Sequence, residues 1–149
     1  IELQPTDIPD LLDEVRDGVA PKLQECGAVL TVQCEAETLN LNAELWRSLL
    51  NNLIVNAANA YDAEAEEKPI TLTVQDNTFS VSDRGRGIPK ELQSRIFEPF
   101  YRVDKSRSKK QGGSGLGLAL VKAIADAHGA SIAVDSEPGK GTTVSVSLP

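Results

Sequence analysis

Residues 42–61 read Asn42-Ala-Glu-Leu-Trp46-Arg-Ser-Leu-Leu50-Asn-Asn52-Leu-Ile-Val-Asn56-Ala-Ala-Asn59-Ala-Tyr61. Leu45, Trp46, Leu49, Leu50, Leu53 and Ala57 recur at steps of three and four, which predicts an amphipathic helix over roughly 43–61. Asn42 is placed to cap it. Asn52, Asn56 and Asn59 follow the same spacing and form a second stripe beside the apolar one. Asparagine is a mediocre helix former, because its amide competes for backbone groups. One such residue reads as a wetted surface position; three in register ask for another reason. An amide oxygen can ligate a hard divalent cation such as Mg²⁺, which keeps its waters and accepts few protein ligands.

Upstream of this helix, Ile8, Leu11, Leu12, Val15, Val19 and Leu23 predict another over 7–25. Thr6 or Asp7 can cap it, Pro9 suits its first turn, Pro21 marks a kink or an end, and Gly27 closes the segment. Ala28, Leu30, Val32 and Cys34 alternate as a half-buried strand, and a short strand runs through Leu39 and Leu41. Downstream, residues 62–69 are a polar loop. Ile70, Leu72 and Val74 form one strand, and Phe79 and Val81 another, around an Asp76-Asn77 turn. Pro89 opens a short helical piece ending near Ile96-Phe97. Leu116, Leu118, Ala119, Val121, Ile124 and Ala125 predict a helix ended by His128-Gly129. Two last strands flank Pro138-Gly139-Lys140-Gly141. Hairpins alternating with helices predict an α+β fold, a two-layer α/β sandwich with helices on one face of a mixed, mostly antiparallel sheet.

The chain has 149 residues, which fits one domain over 1–149, with 40% hydrophobic and 25% charged residues. No apolar run approaches the ~20 residues a membrane helix needs. The opening Ile1-Glu2-Leu3-Gln4-Pro5 has no basic leader and no Met, and reads as a cut within a longer protein. A net charge of −7 argues against non-specific nucleic-acid binding. Yet Arg102, Lys105, Arg107, Lys109 and Lys110 crowd into nine residues. Cys26 and Cys34 are the only cysteines and His128 the only histidine, a set that cannot build a zinc site. The two cysteines read as half-buried thiols, though two can also pair.

Two further motifs carry chemistry. Asp83-Arg-Gly85-Arg-Gly87 puts an acceptor-only carboxylate at a strand end beside two permissive glycines. Such a carboxylate can accept from an adenine amine and rejects a carbonyl oxygen in its place. Gly112-Gly113-Ser114-Gly115-Leu116-Gly117 opens a helix, where backbone N–H groups can surround anions. It fits neither the P-loop nor the dinucleotide fingerprint. Read singly, these are an ordinary turn and a flexible hinge. Read with the asparagine stripe, they are the parts of a site for Mg²⁺, a purine and a polyphosphate. The basic run can close over phosphates as a lid of about 98–113, hinged at Gly112 and Gly113.

The set resembles the ATP-binding catalytic domain of bacterial two-component sensor histidine kinases. Asn52-Leu-Ile-Val-Asn56-Ala is similar to their asparagine box, and Asp83-x-Gly85-x-Gly87 to the first glycine box. Ile96-Phe97-Glu98-Pro99-Phe100-Tyr101-Arg102 is similar to the phenylalanine box, and Gly113-Ser114-Gly115-Leu116-Gly117-Leu118-Ala119 to the second glycine box. Gly139-Lys-Gly141-Thr142 is similar to the closing Gly-Thr element. The resemblance implies the Bergerat-type fold shared with gyrase, heat-shock-90 chaperones and mismatch-repair ATPases.

It also implies ATP and Mg²⁺ as cofactors. Asn56 would be the metal ligand and Asn52 a phosphate-side support. Asp83 would read adenine, with Gly85, Gly87, Ile88 and Thr142 nearby. Arg102 and Lys105 would reach phosphates, and Gly113, Ser114, Gly115, Leu116, Gly117 and Leu118 would line the phosphate turn. Asn59 belongs to the same candidate set, but relatives often carry Lys or Arg there and an aromatic at position 60, where this chain has Ala60. The implied reaction passes the γ-phosphoryl to a histidine on a separate helical dimerisation and phosphoacceptor domain, then to a response regulator. No catalytic residue of the chain itself is implied; His128 reads as a helix-end residue, not the acceptor. The implied setting is a cytoplasmic, monomeric fragment touching neither membrane nor nucleic acid, from a protein that can be membrane-anchored. Two alternatives stand beside this: a degenerate nucleotide-binding regulatory module, and a gyrase- or chaperone-type ATPase.

Overall fold

The computed structural model describes residues 1–99 and 117–149. Among these the chain runs β1 (Gln4–Asp7), α1 (Ile8–Cys26), β2 (Val29–Cys34), β3 (Thr38–Leu41), α2 (Ala43–Asn59), β4 (Pro69–Gln75) and β5 (Thr78–Asp83). A 3-10 turn (Lys90–Leu92), α3 (Gly117–Ala127), β6 (Ser131–Glu137) and β7 (Gly141–Ser147) follow. Five strands form one sheet in the order β2-β4-β5-β7-β6. β2 and β4 run parallel, which requires a long crossover, and α2 lies within it. The remaining neighbours are antiparallel. The expected two-layer α+β sandwich with a mixed, mostly antiparallel sheet is what forms.

Burial follows the pleat. Ile70, Leu72 and Val74 of β4 are buried while Thr71 and Thr73 between them are not. Phe79 and Val81 of β5 and Val144 and Val146 of β7 continue that inner face. The three described helices pack over it, with α2 between α1 and α3. Trp46, Leu49, Leu50, Leu53, Ile54, Ala57 and Ala58 of α2 are buried, so this helix is the spine of the core. The outer face is built of hydroxyls: Thr78 meets Ser147 at 2.9 Å, Ser80 meets Ser145 at 2.8 Å, and Ser82 meets Thr143 at 2.6 Å.

The caps match the sequence. The Asp7 side chain accepts from Asp10 N–H at 3.0 Å, and Gly27 ends α1 with φ 77°. Asn42 Oδ1 accepts from Leu45 N–H at 3.0 Å, while the Asn42 N–H donates to His128 Nε2, also at 3.0 Å. That bond places the imidazole proton on Nδ1, which donates to the Ile124 carbonyl at 2.8 Å. His128 is 5% exposed, so it staples the end of α3 to the start of α2.

Three expectations change. α1 runs through Pro21 to Cys26 without ending there. Pro21 lies on the exposed side, where water can serve the carbonyl that its missing N–H leaves free. Gln4–Asp7, where only a cap at Thr6 or Asp7 is expected, is a strand paired with β3 in a separate two-stranded ribbon. It is short and almost wholly exposed, so no apolar alternation marks it. Cys34 is exposed rather than half-buried, and both thiols are free.

Leu50 is fully buried between the layers. Leu50→Ala is expected to lower the unfolding free energy by about 2–5 kcal/mol, measured from urea midpoints at constant slope.

Candidate functional site

β5 delivers Asp83 to the end of the sheet, level with Thr142 at the start of β7. Its Oδ1 accepts the Gly85 N–H at 2.8 Å. Burial pushes the Asp83 carboxyl above its ordinary pKa; N–H groups of Gly85 and Thr142, and the charge of Arg86, pull the other way. The result is a partly desolvated acceptor carrying fewer donors than water would supply.

The loop after Asp83 is wedged between α2 and the β6–β7 turn. A Cβ on Gly85 would stand 2.4 Å from the Ala60 carbonyl oxygen. One on Gly141, at φ 125°, would stand 2.1 Å from the Asp83 carbonyl oxygen. Both crossings therefore need glycine. Gly87 sits against Glu137 and Pro138.

Hydrogen bonds fix the loop on both sides. Arg86 N–H donates to the Ala60 carbonyl at 3.0 Å, and its Nη1 to the Asn59 carbonyl at 3.0 Å. The last turn of α2 holds no basic residue, so Arg86 supplies charge and donors to that helix end from outside. The Arg86 carbonyl in turn accepts from Gly139 N–H at 2.8 Å.

Ser136 Oγ accepts from Ile88 N–H at 2.9 Å and donates to the Gly141 carbonyl at 3.0 Å. It also lies 2.8 Å from Thr142 Oγ1. Its one proton is already given to Gly141, so Thr142 is the donor in that pair. Gln93 Nε2 reaches the Ile88 carbonyl at 3.0 Å and completes the brace.

The asparagine stripe occupies the neighbouring helix surface. Asn52 Nδ2 donates to the Ser48 carbonyl at 2.8 Å. Asn52 Oδ1 stands 3.1 Å from where a Gly117 Cβ would be, so the asparagine box and the start of α3 meet there. Asn56 is exposed, Asn59 is half-buried, and half-buried Leu118 packs on the core. Among the described residues no cluster of three His, Cys, Asp or Glu could hold a metal. The exposed Asn56 amide suits an ion that brings its own waters and phosphate oxygens.

The structure thus brings together Asp83, Gly85, Gly87, Ile88 and Thr142 at one corner, and Asn52 and Gly117 beside it. Arg102, Lys105, Gly113, Ser114, Gly115 and Leu116, and the expected lid beyond Pro99, lie outside the described residues. Tyr61 does not project a ring in place of the aromatic missing at Ala60. It turns into the core, and its hydroxyl takes up backbone partners. Sequence reading missed Arg86, Ser136 and Gln93 as braces. Only Arg86 left a signal, a cation inside the glycine box beside a helix end lacking one.

Three helices on a mixed, mostly antiparallel sheet, with glycine crossings at the sheet end and an amide stripe beside them, make an α+β sandwich of the ATPase class. The Histidine kinase-, DNA gyrase B-, and HSP90-like ATPase family matches residues 42–149, and the chain belongs to it. Sensor histidine kinase WalK of Bacillus subtilis (strain 168) is 44% identical over 105 residues, which cover 68% of this chain and 17% of WalK. Sensor protein SrrB of Staphylococcus aureus (strain NCTC 8325 / PS 47) is 34% identical over 151 residues, 99% of this chain and 25% of SrrB. Full-length ShkA, solved in complex with AMPPNP, matches with a TM-score of 0.80 at 29% identity, covering all of this chain and 31% of ShkA. The chain therefore spans a quarter or less of WalK and SrrB. The resemblance to sensor histidine kinase catalytic domains holds.

The Asp83 pKa has a consequence for folding. The folded chain holds this proton more tightly than the unfolded chain, whose carboxyl keeps the ordinary value of 3.8. The group favours folding most below that value, and the advantage is lost as pH rises through the higher folded pKa. Asp83→Asn has no such titration. The unfolding free energy of the wild type minus that of Asp83→Asn is expected to fall across this interval and then stay level. Urea midpoints over a pH series check it; a difference that climbs with pH would contradict the sign.

Proposed function

We propose that this chain binds Mg-ATP and presents the γ-phosphoryl to a histidine on a separate helical phosphoacceptor domain, for onward transfer to a response regulator. The observation that carries this reading is Asp83: a partly desolvated carboxylate, backed by Gly85 and Thr142 N–H groups, at the corner where the asparagine helix meets the glycine loop. An adenine amine would return to that carboxylate a hydrogen bond that burial removed. Asn56 would hold Mg²⁺ and Asn52 would support the phosphate side. Gly117 and Leu118, with Arg102, Lys105 and residues 113–116, complete the phosphate half of the proposal. Mg²⁺, when bound, neutralises phosphate charge.

Phosphoryl transfer asks for positioning and charge stabilisation more than for covalent chemistry by the protein. The chain's residues fit that demand. Asp83 orients the base, Ile88 and Leu118 border it with apolar surface, and the amide stripe fixes the polar end. The phosphoacceptor is not His128. Both of its ring nitrogens are engaged and it is buried against Trp46, with ring centroids 4.7 Å apart. No helix among the described residues is long and apolar enough to cross a membrane.

A second reading, a nucleotide-sensing module without phosphotransfer, is favoured by Asn59 and Ala60 and by the inward turn of Tyr61. Supplying an acceptor helix dimer in trans separates the two: histidine-bound phosphate supports the kinase, and ATP binding without it supports the sensor. Steady phosphate release without an acceptor would instead indicate a gyrase- or chaperone-type ATPase.

Asn56→Ala is expected to weaken Mg²⁺-dependent ATP binding by more than about tenfold in calorimetry while leaving the fold intact. Unchanged binding would remove Asn56 from the metal role.

A further inference from the structure

Tyr61 follows α2 at the point where β5 parts from β4. The ladder between these strands ends at the pair Ile70 and Asp83. The next rung in that register would set Pro69 against Arg84. Proline has no N–H, so the one bond open to this rung runs from Arg84 N–H to the Pro69 carbonyl. The phenol interrupts it. The Tyr61 hydroxyl accepts the Arg84 N–H at 2.7 Å and itself donates to the Pro69 carbonyl. One oxygen is thereby inserted between two strands that would otherwise close directly.

The ring is anchored. Tyr61 is 5% exposed and belongs to the hydrophobic core, so the core sets the position of its hydroxyl. Burial, the dominant influence, raises the phenol pKa, which keeps the proton that the Pro69 bond requires. Arg84 is bonded covalently to Asp83, and the next N–H, that of Gly85, binds Asp83 Oδ1. Holding the Arg84 amide therefore holds the backbone turn on which the carboxylate stands.

We propose that Tyr61 is a positioning residue. Its hydroxyl, wedged between Arg84 N–H and Pro69 C=O, sets the angle at which Asp83 leaves the sheet, and with it the preference for a purine bearing an amine at position 6. The inference rests on the reading of Asp83 as the adenine acceptor. Without the hydroxyl, Arg84 N–H and the Pro69 carbonyl either meet directly and draw β5 inward, or both lose their partner. Each outcome moves Asp83.

The test titrates ATP and inosine triphosphate, with Mg²⁺, into the wild-type chain, Tyr61→Phe and Asp83→Asn. Inosine triphosphate carries an oxo group where ATP carries the amine. Tyr61→Phe is expected to lose roughly tenfold in affinity for ATP and far less for inosine triphosphate, so that the ratio falls. Equal losses for both nucleotides, or an unchanged ratio, overturn the positioning role. If Asp83→Asn collapses the ratio while Tyr61→Phe does not, the Tyr61 proposal alone fails. If Asp83→Asn leaves the ratio intact, the adenine reading fails and takes the proposal with it. Wild-type chain with ring-labelled tyrosine covers the case of an unfolded Tyr61→Phe. Its Tyr61 Cζ and Arg84 amide resonances should move further on adding ATP than inosine triphosphate, and equal movement overturns the proposal.

Discussion

A helix that ends must find donors for its last carbonyls, and in this chain the demand is met by the loop that follows Asp83. Asn59 and Ala60 close α2, and Arg86 supplies both with hydrogen bonds, one from its guanidinium and one from its backbone. The loop cannot relax outward without exposing those carbonyls to competition from water. It cannot move inward either, because Gly85 already touches the Ala60 backbone and Gly141 the Asp83 backbone. Helix termination and site geometry are thus one problem with one solution. Buried apolar residues along α2 then tie that solution to the core.

The layout of elements was readable because it depends on periods of two and 3.6, which the apolar residues display openly. α1, α2 and the strands of the main sheet, with their caps at Asp7, Asn42 and Gly27, follow from local chemistry that acts within a few residues. β1 was not readable, since its own residues are mostly exposed and their partners in β3 lie more than thirty positions away. Pro21 misled for a related reason: the cost of its missing N–H depends on whether the orphaned carbonyl faces water, and that is a property of the packed molecule.

The site divides along the same line. Residue types whose chemistry is intrinsic, the amides of Asn52 and Asn56, the carboxylate of Asp83 and the glycines, announced themselves by spacing. Residues that only hold others in place did not. Ser136 touches Ile88, Gly141 and Thr142, and in sequence it is one more polar residue in a strand of mixed character. Tyr61 could be noticed beside the unusual Ala60, but its direction depends on where Pro69 and Arg84 come to lie. Positioning is a three-dimensional role, and one-dimensional patterns carry little of it.

The hydroxyl pairs on the outer face of the sheet bear on how the domain meets its surroundings. In each of the three, either oxygen can be the donor. A proton can therefore swing from one partner to the other, reversing the local dipole while no heavy atom moves. That surface presents at its centre a band of hydroxyls in place of fixed charge or oil. Exposed charge on this face stands at its margin, on Asp135 of the edge strand β6 beside Thr143.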